Sequence, residues 1–80
     1  MNMKNLNKTI CKFNYKGEHY EVDWLTDATS MPDEKECDLF IGVGKYAVCV
    51  GHLGIPSKAS KKQIRASAIS LIEELREANP

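Results

Sequence analysis

Five side chains near the end of the chain, Lys58, Ser60, Lys61, Lys62 and Arg65, have the types and spacing to hold an anion. They open the stretch SKASKKQIRASAISLIEELREANP, in which cations crowd the front and Glu73, Glu74 and Glu77 close the rear. A helix dipole favours the opposite order, acids first and bases last. Cations gathered at a helix start repel one another unless an anion sits among them, and the free amides of the first turn would bind that anion too. Lys and Arg are also good helix formers, so a solvated basic surface is an equally sound reading of the charges alone.

The remaining reactive side chains are sparse. Cys11, Cys37 and Cys49 form an odd set without CxxC spacing, which argues against a disulfide framework and suits a reducing, cytoplasmic setting. Cys49 and His52 make one CxxH pair, to which Cys11, Cys37 and His19 could add ligands, but the spacing matches no zinc ribbon or finger. The cysteines therefore read as small packing residues, and neither a metal nor another cofactor is expected. His19 falls on the polar face of a strand and His52 in a loop, far apart in sequence, and no serine, cysteine or carboxylate stands at triad spacing. No catalytic residues are expected, and the chain does not read as an enzyme. Glycines 42, 44, 51 and 54 lack the GxxxxGK[ST] order of a phosphate loop and read as turn and packing residues.

The elements that must position these groups fit one domain spanning residues 1–80, which would bury about 60% of its unfolded surface. No apolar run is long enough for a membrane span, and the start, MNMKNLNKTICKF, lacks the apolar segment of a signal peptide. Around Lys16-Gly17 a two-residue hairpin turn pairs Phe13 with Tyr20, Cys11 with Val22 and Thr9 with Trp24 on one face. Lys12 then meets Glu21, and Asn14 meets His19, on the other. Met3, Leu6, Ile10 and Phe13 also fit a helical stripe, which keeps a first helix open as an alternative. TDATSMPDEKE, residues 26–36, reads as an acidic loop.

Two strands follow in CDLFIGVGKYAVCVGHL, broken at Gly44-Lys45. Leu39, Ile41, Val43, Tyr46, Val48 and Val50 share one face in that register; Phe40, Gly42, Ala47, Cys49 and Gly51 share the other, and either could be buried. In the last segment Ser60 caps a helix and Gln63 completes the capping box, with Ala59 and Ile64 as a weak staple. Ile64, Ala68, Leu71, Ile72, Leu75 and Ala78 form its apolar stripe, Ile69 flanks it, and Asn79-Pro80 end it. The expected fold is α+β: an antiparallel sheet of three or four strands in order ββββα, the helix packed on one face, with αβββα as the alternative.

Net charge is zero, yet it is unevenly spread. Residues 1–17 hold four lysines and no acid; residues 18–38 hold eight acids against Lys35 alone; from Leu39 to Ile72 there is no carboxylate. A neutral chain can thus present a basic face. The order SKKQIRASAISLIEEL resembles the last helix of the double-stranded RNA-binding domain, whose signature is SKK, one residue, Ala, a basic residue and an Ala-rich apolar stripe. Ser60, Lys61, Lys62, Arg65, Ala68 and Leu71 fall on that pattern. The resemblance implies that Lys61, Lys62 and Arg65 clamp phosphates across the major groove of an A-form duplex, with Lys58 beside them. Sequence-tolerant binding of structured or double-stranded RNA, in a regulatory role, is the expectation this supports.

A rival expectation comes from the acidic segment Glu18 to Asp38. An acidic patch can mimic nucleic acid and fill a basic site on a protein partner, as in a phage-type inhibitor of a host nuclease or toxin, or a small adaptor. A structural homodimer is the third expectation.

Overall fold

A computed structural model describes residues 7–26 and 33–78. Four strands and a helix follow in order: β1 (Asn7–Tyr15), β2 (Glu18–Leu25), β3 (Glu34–Ile41), β4 (Val48–Pro56) and α1 (Lys61–Ala78), with a short 3-10 turn at Gly44–Tyr46 before β4. The strands form one antiparallel sheet in the order β1-β2-β3-β4, each pairing with its sequence neighbour. This is the ββββα arrangement, with the helix against the sheet.

The first hairpin forms where its residues direct. Lys16 and Gly17 both take positive φ, 51° and 85°, as a primed two-residue turn requires to match strand twist. Phe13 pairs with Tyr20, Cys11 with Val22, Lys12 with Glu21 and Asn14 with His19. The Phe13 and Tyr20 rings stack with centroids 5.6 Å apart. Beyond Cys11 the expected register fails. Ile10 is an extra residue in β1, so Thr9 stands opposite Asp23, not Trp24, and Lys8 opposite Trp24. Thr9 Oγ1 donates to Asp23 Oδ1 at 2.8 Å on the face away from the helix. Because β1 is a strand, the αβββα alternative fails at Ile10 and Phe13; Met3 and Leu6 lie outside the described residues.

Three further expectations are corrected. The acidic loop is shorter than residues 26–36, since Glu34, Lys35 and Glu36 pair with Pro56, Ile55 and Gly54. The Lys35 side chain is anchored there as well, its Nζ 4.8 Å from the Trp24 ring centroid and donating to the Ser57 carbonyl. His52 belongs to β4 rather than to a loop. The third correction concerns the faces of the second hairpin. Leu39 and Ile41 do face the helix, but Val50 is an extra residue in β4, and it places Gly51 opposite Leu39. Gly51 thus lies beneath the helix, where a Cβ would stand 3.0 Å from Leu71 Cδ2, while Val43, Tyr46 and Val48 are exposed.

The core lies between helix and sheet. Cys11, Phe13, Tyr20, Val22, Cys37, Leu39 and Ile55 from the strands meet Ile64, Ala68 and Ile72 from α1. Ala68 is fully buried, so the helix axis comes close to the strands at mid-length. Leu71 and Leu75 are half-buried and Ile69 packs in from the flank, whereas Ala78 is exposed at the end of the expected stripe. Each fully buried aliphatic side chain here contributes about 1.5–3 kcal/mol. The opposite sheet face has no layer over it among the described residues.

Gly42 and Gly17 separate backbone strain from steric exclusion. Both have positive φ, but nothing lies within 4 Å of a Cβ built at Gly17, whereas at Gly42 (φ 109°) it would meet Tyr46 O at 3.0 Å and Ala47 Cα at 3.1 Å. Backbone atoms cannot swing aside as a side-chain tip can. In urea melts, Gly17→Ala should cost about 1 kcal/mol and Gly42→Ala about 2–4 kcal/mol. Equal losses would show that the Tyr46 turn yields.

Candidate nucleic-acid interface

The start of α1 is built as its residues specify. Ser60 N donates to Gln63 Oε1 at 2.8 Å and Gln63 N donates to Ser60 Oγ at 3.2 Å, closing the capping box; Ile64 N donates to Ser60 O at 2.9 Å. The amides of Lys61 and Lys62 precede the first carbonyl within helical reach and point out of the N-terminal end. Lys58, Ser60, Lys61, Lys62 and Arg65 are all exposed. Ser60 therefore serves first as a cap, with its hydroxyl proton still able to reach an anion.

The helix start does not stand alone. An open groove of about 800 Å³ runs between it and β1, lined by Lys8, Thr9, Ile10, Cys11 and Lys12 on one side and by Ala59, Lys61, Lys62, Ile64 and Arg65 on the other. Five cations and no carboxylate line it. Lys8 and Lys12, which the sequence left in an unassigned basic segment, thus join Lys61, Lys62 and Arg65. They are four residues apart, a separation that on a regular strand puts both side chains on one face. The Ile10 bulge instead leaves Lys12 opposite Glu21, on the open face, and turns Lys8 to the helix side opposite Trp24, so the two approach the groove from different sides.

Lys58 falls elsewhere. It sits in the Ser57–Lys58 turn, beside clefts that include Pro56, Gln63, Ala66 and Ser67 on the other flank of the helix start.

Two contacts fix the groove walls. The Arg65 guanidinium lies 5.7 Å from the Phe13 ring centroid, a cation–π contact holding helix to β1. The Cys11 thiol faces the Lys61 carbonyl at 3.9 Å. Burial raises that thiol's pKa, with the Lys61 and Arg65 charges opposing, and burial pushes Cys37 up to about 11. Both thiols are therefore protonated at neutral pH and inert as nucleophiles.

The rear of α1 answers part of the charge reversal. Glu73 Oε2 accepts from the Tyr15 hydroxyl and lies 3.2 Å from Lys16 Nζ, tying the helix to the tip of the first hairpin. Glu73 thus has a structural role, as Arg65 has against Phe13, whereas Lys58, Lys61 and Lys62 are exposed side chains at the front. On the far side of the sheet, a second set of polar side chains converges: Asp38, Cys49 and His52 bring one donor atom each within 4.8 Å of one another. Sequence spacing suggested Cys49 with His52 but held no signal for Asp38, which only strand pairing brings in. His19 is engaged apart from them, with Asn14 and Glu21.

No helix among the described residues is long and apolar enough to cross a membrane. Comparison of the chain with models of protein families, with curated proteins and with solved structures finds no match.

The Tyr15 bond, and then Lys16, hold the Glu73 carboxyl below its ordinary value, while the Tyr15 phenol is raised chiefly by the bond to Glu73. A depressed carboxyl stabilises the fold above its unfolded pKa, near 4.5, and that contribution is lost as pH falls through the folded value. Glu73→Gln should lower the melting temperature at pH 7, and the gap from wild type should narrow in melts taken progressively below pH 4.5. Because the pair is exposed to solvent, the gap should be small and shrink in salt.

Proposed function

We propose that this domain is a non-enzymatic binding module for structured or double-stranded RNA, with regulatory use, and that the groove between β1 and the start of α1 is its contact surface. The observation that carries this reading is the groove itself: Lys8 and Lys12 across from Lys61, Lys62 and Arg65, with no carboxylate in the lining. Cations from two elements distant in sequence then meet one channel, which a merely solvated helix face would not require. Phosphate contacts from five such side chains give affinity that is tolerant of sequence and steeply salt-dependent. The amides of Lys61 and Lys62 add an anion site at the helix end. The likeness of SKKQIRASAISLIEEL to a duplex-binding helix favours an A-form partner, read by backbone geometry.

A second reading has its own observation. Val43, Tyr46 and Val48 are exposed at the tip of the second hairpin, beside an open sheet face that carries Glu21, Asp23, Glu36 and Asp38. A protein partner with a basic surface would meet that face, leaving the groove free. A homodimer through the β4 edge is the self-associating version of the same reading.

Filter or gel-shift binding to duplex RNA over a salt series separates these. Lys61→Glu with Lys62→Glu should abolish retention while circular dichroism stays unchanged. Lys8→Gln with Lys12→Gln should weaken binding and flatten the log–log salt slope by up to about two, since each phosphate contact contributes on the order of one. Unchanged binding by the helix double variant at low salt overturns the RNA reading, and pull-down of one protein partner by that variant favours the second.

A further inference from the structure

We propose that Asp38, Cys49 and His52 form a binding site for a divalent transition ion of the zinc class on the open face of the sheet, opposite the basic groove and independent of the nucleic-acid reading. The extra residue at Val50 builds it. Asp38 and Phe40 are two apart on β3 and share a face; their partners on β4, His52 and Cys49, are three apart. In a regular strand residues three apart point to opposite faces. The bulge turns Cys49 and His52 to the same side, over Asp38, and bulges recur where a side chain must be re-aimed.

The three donors are a carboxylate, an imidazole and a thiol, within 4.8 Å of one another. That set suits a borderline-soft ion and disfavours calcium or magnesium, which take oxygen. With ligand bonds of about 2.0–2.3 Å the donors of one zinc ion stand on the order of 3.5 Å apart, so side-chain rotation alone closes the site. His52 Nδ1 now donates to Asp38 Oδ1. The ion takes the place of that shared proton, the imidazole carries its hydrogen on Nε2 instead, and the Cys49 thiol, now facing the Gly51 carbonyl, releases its proton to solvent. Water completes the coordination.

Charge supports the assignment separately. Asp23 stands directly opposite Asp38 on β2, and like charges facing across strands are destabilising. Thr9 donates to Asp23 and His52 meets Asp38, and a cation bound between the Asp38, Cys49 and His52 donors offsets the repulsion of the two facing carboxylates. The same side-chain types make thiol nucleophiles in enzymes, but here the His52 side chain is 76% exposed on an open surface and the thiol points at a carbonyl.

Cobalt titration of the full, reduced chain tests this. One equivalent of Co²⁺ should give a thiolate-to-cobalt charge-transfer band and strong visible d–d bands, both bleached by one equivalent of Zn²⁺. Cys49→Ser should abolish the charge-transfer band, and Asp38→Asn and His52→Ala should each weaken binding by about 10-fold or more, with circular dichroism unchanged. Absence of the band, its survival in Cys49→Ser, half-equivalent binding, or full affinity in Asp38→Asn would each overturn the three-donor site.

Discussion

The seating of the Ile64–Ala68–Ile72 stripe on the sheet governs everything else in this molecule. One helix covers one side of a four-stranded sheet, so a single packing decision determines which residues are dry and which meet water. Ala68 permits the close approach, and Gly51 supplies clearance beneath Leu71. The helix axis thereby comes within reach of both outer strands, β1 and β4. Its front end is then set beside β1, which creates the basic groove, and its rear is set over the first hairpin, where Glu73 finds Tyr15 and Lys16.

The same decision sorts charge. The chain is neutral in sum, yet Lys8, Lys12, Lys58, Lys61, Lys62 and Arg65 gather around the helix start and one groove, while much of the acidic segment is displayed on the sheet face away from the helix. Separation of this kind lets a neutral domain act electrostatically at short range, within a Debye length of about 10 Å, without the long-range self-repulsion of a highly charged one.

Much of this was legible in the sequence where the information is local. The first hairpin declared its register through a two-residue turn and a clean apolar/polar split, and the helix declared its start through Ser60 and Gln63. What escaped was non-local or irregular. The extra residues at Ile10 and Val50 have no compositional mark, since either could continue a regular strand, and each reversed the expected facing of its neighbours: Thr9 against Asp23, Gly51 beneath the helix. The groove was half visible. Lys61, Lys62 and Arg65 stood out by violating the dipole rule, whereas Lys8 and Lys12 lie about fifty residues away and become neighbours only through docking of α1 on β1. Asp38 was hidden for the same reason, because its meeting with His52 is a product of strand pairing.

The two bulges have one more consequence. Both sit on rim strands, Ile10 on β1 and Val50 on β4, and the two central strands have none. A rim strand offers a row of unpaired amides and carbonyls to any passing chain, and a flat one invites stacking into fibrils. A kink in each rim interrupts that row and adds local twist. Among the described residues one sheet face has no layer over it and valines stand exposed beside the second kink, so the kinked rims limit edge-to-edge stacking where the sheet is otherwise open to it.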